Sequence, residues 1–355
     1  MRLRELDALR GLAALAVSFQ HVFVLTGAAG AVLAVAALTP LNTLFDGTRA
    51  VLFFFVLSGF VLAVPFFRGG VSPTGFVAKR AARIYPAYWF ALIVSIGIYS
   101  LSANPHLTFY SVANFASLLT EDTAQTYNVV FWSLVQEMRL SILFPLLILP
   151  VVKLPWRWVL AGSLPLIVAG FFGEEFPGGP IIGLFSTVFY AFFFVLGALA
   201  AKHIDELVVA VRGLSSRRAA LWLGVAVLVY GALPNDGIAV PVEKAVLGVS
   251  CVAIMVLALG WHGFSGFLLI PALQFVGRIS YSYYLLHLPV SKVVPFLLPS
   301  QVSLVTPVVV ITGSLLVAWG SYRWIEVPSI RLGHRLYAKI SARMAAPVEV
   351  VPAET

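Results

Sequence analysis

Long apolar runs alternate with short polar segments along most of the chain. Each run has about 15 to 22 residues, close to the roughly 20 that a transmembrane helix needs. Turn-forming stretches such as RGGVSPTG and GEEFPGGP separate them. The pattern predicts ten membrane-spanning helices, the fifth and seventh being short. Their predicted bounds are 9–27, 48–67, 84–101, 131–152, 158–172, 181–201, 219–234, 243–261, 279–299 and 303–325.

The composition agrees with this pattern. Of the 355 residues, 60% are hydrophobic and 11% are charged, and the mean hydropathy is +0.97. These values exclude an ordinary soluble domain and predict an all-α polytopic transmembrane bundle. The net charge of +8 is no sign of nucleic acid, because the basic residues lie in short loops and form no stripe with aromatic residues. The single Cys251 lies in an apolar run, so we expect no disulfide within the chain.

The distribution of basic residues predicts the topology. With the N-terminus inside, most of the 23 Lys and Arg residues fall in cytoplasmic segments, and only Arg49 and Lys244 fall in external loops. We therefore expect both termini to be cytoplasmic. Polar residues inside the first apolar run argue for an uncleaved span rather than a signal peptide. We divide the chain into a membrane-embedded domain, 1–330, and a basic cytoplasmic tail, 331–355, which favours an amphipathic helix on the inner leaflet.

The first span carries an arginine and a histidine on one face. Arg10 and His21 are eleven residues apart, which on a helix leaves them about 20° apart and separated by a rise of about 16 Å. A charge and an imidazole on one stripe of a membrane span are costly, and such residues usually face a cavity. This stripe is the first candidate for a functional site.

Two further arginines precede the third span. Arg80 and Arg83 are i, i+3 neighbours on one helical face. Guanidinium groups bind phosphates in a bidentate manner, so this pair is suited to the phosphates of a nucleotide-like cofactor. The alternative is that both side chains extend to lipid headgroups as ordinary positive-inside charges.

Glu137 lies about 9 Å, or six residues, below the outer end of the fourth span. His21 is expected at a similar depth, where a carboxylate can orient an imidazole and raise its basicity. The alternative is a structural ion pair of Glu137 with Arg139 or Arg49. His287, in the ninth span, is a second intramembrane imidazole and is either a packing residue or part of the site.

The second span carries Ser58 and Gly59 near its middle. Small residues there either allow close helix packing or narrow a channel for a thin, flexible chain. The sequence contains no H-x-x-x-H or H-E-x-x-H spacing, so we predict no metal site.

Taken together, these segments resemble the acyltransferase-3 family of polytopic membrane O-acyltransferases over essentially the whole chain. The matching motifs, in chain order, are Asp7-x-x-Arg10-Gly11 leading to His21, FFFVLSGF at 53–60, Arg80-x-x-Arg83 followed by Tyr85-Pro86, Trp132-Ser133 with Glu137, GRISYSYYLLH at 277–287, and WIEVP at 324–328. The resemblance implies ten core spans in the bacterial inner membrane. It also implies transfer of an acyl group, usually acetyl, from cytoplasmic acyl-CoA to a hydroxyl of an extracytoplasmic sugar. The chain ends soon after the tenth span, so we expect it to be of the stand-alone type, without an esterase-like domain. Such members modify lipopolysaccharide, exopolysaccharide or lipid-linked glycans, and a few acylate antibiotics.

These observations lead to a hypothesis with acetyl-CoA as cosubstrate and a carbohydrate or glycolipid as acceptor. The catalytic group is His21, Glu137 and Arg10, the donor-binding group is Arg80, Arg83 and Arg10, and the substrate-binding group is Trp132, Ser133 and His287. His21 acts as general base, Glu137 orients His21 or the acceptor, and Asp7 positions Arg10. An acyl-histidine intermediate stays open. The alternative function is a proton-coupled transporter or flippase, in which the same polar residues line a pathway.

Overall fold

The computed structural model describes residues 3–25, 46–102, 117–118, 127–175, 182–232, 240–297 and 305–345. All regular structure in these residues is helical, which confirms the all-α helical bundle. The helices are α1 (Arg4–Leu25), α2 (Gly47–Phe67), α3 (Pro73–Ser102), α4 (Phe131–Lys153), α5 (Trp156–Glu175), α6 (Ile182–Lys202), α7 (Ile204–Arg212), α8 (Ser216–Ala232), α9 (Val240–Gly260), α10 (His262–Leu268), α11 (Pro271–Leu297), α12 (Val305–Ser321), a π-helical turn (Tyr322–Glu326) and α13 (Val327–Ala345).

Each of the ten predicted spans coincides with a described helix. By length and composition, six stretches of helix in the described part of the chain can cross a membrane, and α10 with α11 forms a seventh, bent by 66°. The number ten and the cytoplasmic side of the termini remain predictions. Helix α3 begins earlier than predicted, at Pro73 instead of residue 84, because its helix continues through the basic segment that precedes the apolar run.

Helices α1 and α11 cross where two glycines meet. A Cβ atom on Gly11 would lie 2.6 Å from the backbone nitrogen of Gly277, a distance that only glycine permits. From this crossing the two helices run side by side in the same direction, and Tyr283 donates a hydrogen bond to Ser18 at 2.8 Å. His21 and His287 both follow their glycine by ten residues, so they arrive at the same level, about 15 Å from the crossing.

Helix α2 packs closely on α6 at another glycine, Gly59. The backbone of Phe194 fills the space that a side chain at Gly59 would need, which confirms the packing interpretation of this small residue. Helix α3 runs antiparallel to α4, as ring contacts between Phe76 and Phe144 and between Tyr88 and Phe131 show. Helices α3 and α4 thus run in opposite directions, as two successive membrane spans must.

Helix α13 follows the π-helical turn and packs against the first half of α3. Gly333 lies close to the backbone of Lys79, and the Lys79 ammonium lies 5.7 Å from the centre of the Tyr337 ring. The predicted domain division at residue 330 falls within this helix. Its contact with the inner leaflet stays a prediction, and residues 346–355 lie outside the described part of the chain.

Candidate active site

A pocket lies among helices α1, α2, α3, α4 and α11. It brings together side chains from five segments that are far apart in the sequence. Its lining residues are Arg10, Val51, Phe54, Phe55, Ser58, Val61, Leu62, Arg80, Arg83, Ile84, Ser133, Leu134, Glu137, Ser280, Tyr281 and Tyr284. The three predicted donor-binding arginines therefore line one cavity, together with Glu137 and Ser133.

Glu137 pairs with Arg80, not with His21. Its Oε1 atom accepts hydrogen bonds from the Arg80 guanidinium and, at 3.3 Å, from the Ser58 hydroxyl. The expected pairing of Glu137 with His21 is therefore wrong. The antiparallel contact between α3 and α4 places the arginine beside the carboxylate, while His21 contacts a different helix.

The structural alternatives for Glu137 are also wrong. Arg49 forms a 2.7 Å ion pair with Asp46 and donates to the Tyr230 carbonyl at 2.6 Å. Arg139 donates a hydrogen bond to Thr187 at 3.2 Å. Both arginines face helices on other sides of α2 and α4, so neither is the partner of Glu137.

The other two arginines of the pocket differ in how they are held. Arg10 forms the expected i, i+3 ion pair with Asp7, at 3.2 Å. Arg83 makes no hydrogen bond or ion pair with any residue that the structure describes, although it lines the pocket. The Arg80 guanidinium is paired with the Glu137 carboxylate, and that of Arg10 with Asp7. Of the three guanidinium groups, that of Arg83 is therefore the most available to bind an anion.

The two histidines form a pair at the other end of α1. His21 Nδ1 lies 3.0 Å from His287 Nε2, and the two rings meet edge to edge, with their planes 13° apart and their centres 5.3 Å apart. His287 is fully buried, and its Nδ1 atom faces the backbone carbonyls of Tyr284 at 2.8 Å and Tyr283 at 3.3 Å. The structure thus joins His287, predicted only as a substrate-binding residue, directly to His21.

One side chain connects the pocket with the histidine pair. Tyr284 lines the pocket, and the centre of its ring lies 6.2 Å from that of His287. Its hydroxyl shares a 2.7 Å hydrogen bond with Ser133. Trp132 instead packs against Phe55 and Tyr190, so it lies near the pocket wall without being one of the lining residues. The substrate-binding roles of Trp132 and Ser133 stay predictions.

Comparison with known proteins identifies the family. The family model described as an acyltransferase domain, acyltransferase-3, matches residues 3–323. The chain belongs to the acyltransferase-3 family. It is 36% identical to acyltransferase MdmB of Streptomyces mycarofaciens over 195 residues, which are 50% of this chain and 48% of MdmB. It is 25% identical to exopolysaccharide production protein ExoZ of Rhizobium meliloti (strain 1021) over 312 residues, which are 84% of this chain and 95% of ExoZ. No solved structure matches the chain.

The chain is therefore a multi-pass membrane acyltransferase of the acyltransferase-3 family. One acidic residue of its WIEVP motif lies beside the site, although sequence reasoning gave it no role. Glu326 is buried in the π-helical turn and accepts a 2.9 Å hydrogen bond from Ser282, and its carboxylate interacts electrostatically with Arg83 and Arg10. The sequence feature that could have pointed to Glu326 is the presence of a carboxylic acid within the last apolar run.

The pairing of the two histidines also had a signal in the sequence. Gly11 precedes His21 by the same ten residues by which Gly277 precedes His287. Two spans that share a glycine and a histidine at equal spacing can cross at the glycines and meet at the histidines. Sequence reasoning considered each histidine separately and missed this relationship.

Proposed function

We propose that this acyltransferase moves an acetyl group from cytoplasmic acetyl-CoA to a hydroxyl of an extracytoplasmic or lipid-linked carbohydrate, at the bacterial inner membrane. One observation carries the proposal: a pocket lined by three arginines reaches to within one side chain of the histidine pair, of which His287 is fully buried. The name of ExoZ, which refers to exopolysaccharide production, supports a carbohydrate acceptor.

The arginine end of the pocket suits the donor's phosphates. Arg83 and Arg10 present guanidinium groups to the cavity, and charge-assisted bonds from guanidinium to phosphate are among the stronger hydrogen bonds in proteins. Arg80 is neutralised by Glu137 and serves mainly to hold α3 against α4. The bias of basic residues supports a cytoplasmic location for this end, where acyl-CoA is available.

The apolar middle of the pocket suits the pantetheine arm. Phe54, Phe55 and Leu62 line it beside the hydroxyls of Ser58 and Tyr284. A thin chain that enters past the arginines extends along α1 and α11 towards the histidine pair. The thioester then lies near Tyr284, one ring away from His287.

In the proposed transfer, His21 takes the proton of the acceptor hydroxyl as its oxygen attacks the thioester carbonyl carbon. A new C–O ester bond forms, and the C–S bond breaks. The CoA sulfur leaves as thiolate and takes the proton back from His21, so the enzyme is regenerated. The same His21 nitrogen, acting as nucleophile, would give the acyl-histidine route.

Release of CoA from acetyl-CoA tests the proposal. Purified protein in nanodiscs is incubated with acetyl-CoA and methyl glucoside as a simple hydroxyl acceptor, and free thiol is measured with time. We expect thiol release above that of empty nanodiscs, and the release should be lost in His21→Gln and retained in His262→Gln, an exposed histidine on α10. A transporter consumes no acyl-CoA. Absence of both acetyl-CoA binding and thiol release would overturn the proposal in favour of transport.

A further inference from the structure

We infer that His287 is a positioning residue that fixes the tautomer of His21, so that the Nε2 atom of His21 is the one that carries the reactive lone pair. The inference deepens the proposed function and rests on His21 as the base. It assigns the donor and the acceptor of each hydrogen bond in a chain that runs from a backbone carbonyl through two imidazole rings.

The chain of hydrogen bonds begins at backbone carbonyl groups, which can only accept a hydrogen bond. His287 Nδ1 lies 2.8 Å from the Tyr284 carbonyl oxygen and 3.3 Å from the Tyr283 carbonyl oxygen. A carbonyl oxygen has no proton to give, so His287 Nδ1 must carry the hydrogen and donate it. A fully buried ring in an apolar bundle is held in its neutral form, since burying an unpaired charge is costly.

The second step follows from the neutral state of His287. With its hydrogen on Nδ1, the ring has a lone pair on Nε2, and that atom lies 3.0 Å from His21 Nδ1. Two lone pairs at this distance repel one another. His21 Nδ1 must therefore carry a hydrogen and donate it to His287.

The third step gives the chemistry. A neutral His21 with its hydrogen on Nδ1 has its lone pair on Nε2. None of the described residues bonds to that atom. When His21 accepts the proton of the acceptor hydroxyl on Nε2, the Nδ1 hydrogen keeps its bond to His287, so no other proton has to move. The neutral partner orients the base without adding a negative charge.

Helix packing holds the two rings in place. The Gly11–Gly277 crossing and the Tyr283–Ser18 hydrogen bond fix the register of α1 on α11, and the two imidazoles meet edge to edge with an angle of 13° between their planes. Because the ring of His287 is fully buried between these helices, it cannot turn to offer its other nitrogen without losing both carbonyl contacts.

Nitrogen NMR tests the tautomer without using activity. The full-length protein is labelled with ¹⁵N-histidine and placed in nanodiscs, and the His21 signals among the six histidines are assigned by their loss in His21→Gln. We expect wild-type His21 to carry its proton on Nδ1 alone. In His287→Phe, which keeps an aromatic ring but offers no acceptor, a signal for protonated Nε2 should appear. His262→Phe is the matched control and should leave the His21 signals unchanged.

A rescue experiment separates positioning from packing. The amide of His287→Gln can donate to the Tyr284 carbonyl and accept from His21 Nδ1, as the imidazole does. We expect His287→Gln to keep most of the CoA release and His287→Phe to lose at least about tenfold, with an upper limit at the roughly 10²–10⁴-fold that a general base contributes. Acetyl-CoA binding, measured by titration, reports whether each variant is folded.

Two results would overturn the inference: a proton on Nε2 of wild-type His21, or equal turnover in the Gln and Phe variants that bind acetyl-CoA normally. Failure of the proposed function gives a different result. In that case His21 still has its proton on Nδ1, but either the wild-type protein neither binds acetyl-CoA nor releases CoA, or His21→Gln releases CoA at the wild-type rate.

Discussion

His21 Nδ1 and His287 Nε2 lie 3.0 Å apart, although 266 residues separate them in the chain. Each imidazole would be costly alone in an apolar bundle, and each satisfies a polar atom of the other. The contact exists because α1 and α11 cross at two glycines and run in the same direction from there. In the proposed function, the histidine pair and the three-arginine pocket are the two ends of one site; Tyr284 lines the pocket, and the centre of its ring lies 6.2 Å from that of His287.

The glycine crossing should be sensitive to a single methyl group. In Gly11→Ala the new Cβ would lie 2.6 Å from the backbone nitrogen of Gly277, and backbone cannot move aside as a side chain can. We expect overpacking to cost about 1–3 kcal/mol and to lower CoA release as the histidines separate. The unfolding midpoint in detergent and the rate of CoA release measure both effects.

Gly97→Ala is the matched control for this prediction. Gly97 lies on α3, and a methyl group added there would have no atom of the described residues within 4 Å outside its own turn of helix. Alanine also favours a helix over glycine by about 1 kcal/mol. Its unfolding midpoint should be unchanged or higher. A Gly11→Ala protein as stable and as active as Gly97→Ala would show that the crossing does not need glycine.

Arg83→Ala should weaken acetyl-CoA binding without lowering stability. Arg83 has no hydrogen bond or ion pair with a described residue. The Glu326 carboxylate, which interacts with it electrostatically, keeps its hydrogen bond from Ser282 and its interaction with Arg10 when Arg83 is removed. Loss of a hydrogen bond to a charged group costs about 1.5–3 kcal/mol. The dissociation constant for acetyl-CoA should therefore rise roughly 10- to 100-fold. Calorimetric titration in nanodiscs gives this value, with the unfolding midpoint measured on the same sample.

An acyl donor without phosphates shows whether Arg83 binds the phosphates of acetyl-CoA. S-acetylpantetheine carries the thioester but no phosphate, so its binding should be the same in wild type and Arg83→Ala. Equal weakening of both ligands would mean that Arg83 acts on the shape of the pocket and not on phosphate.

Arg80→Ala should behave differently from Arg83→Ala. It leaves Glu137 without its guanidinium partner, so the variant should lose stability as well as donor binding. The double variant Arg80→Ala/Glu137→Ala removes both charges and should recover part of the lost unfolding temperature. A single variant as stable as wild type would show that this ion pair does not hold α3 against α4.

The ring of Tyr284, and not its hydroxyl, should matter for turnover. Tyr284→Phe removes the 2.7 Å hydrogen bond with Ser133, which costs about 1 kcal/mol, but keeps the ring beside His287. Tyr284→Ala removes the ring, which typically costs about 3–5 kcal/mol. Thiol release should survive in the first and be lost in the second. If both variants are equally impaired, the hydroxyl itself takes part in the reaction.

The helices of this bundle were predictable because hydropathy is a local property. All ten predicted spans coincide with helices, and the i, i+3 pair of Asp7 and Arg10 follows from spacing on one helix. The starts of α1, α3 and α11 were missed, because each of these helices begins in a polar segment before its apolar run.

The partners of Glu137 and His21 were not predictable from depth alone. Residue counting gives the height of a side chain along its own helix, whereas its partner depends on which helices are neighbours. Thus Glu137 has Arg80 beside it, and His21 has His287. The shared spacing from Gly11 to His21 and from Gly277 to His287 was the one sequence feature that pointed to a neighbour.

The most direct test of His21 as the base of a CoA-dependent acyltransferase measures two quantities on the same nanodisc samples. These are the dissociation constant for acetyl-CoA and the rate of CoA release, in wild type, His21→Gln and His262→Gln. We expect all three proteins to bind acetyl-CoA equally, and the rate of His21→Gln to fall by roughly 10²–10⁴-fold. A His21→Gln protein that binds acetyl-CoA and releases CoA at the wild-type rate would contradict the role of His21.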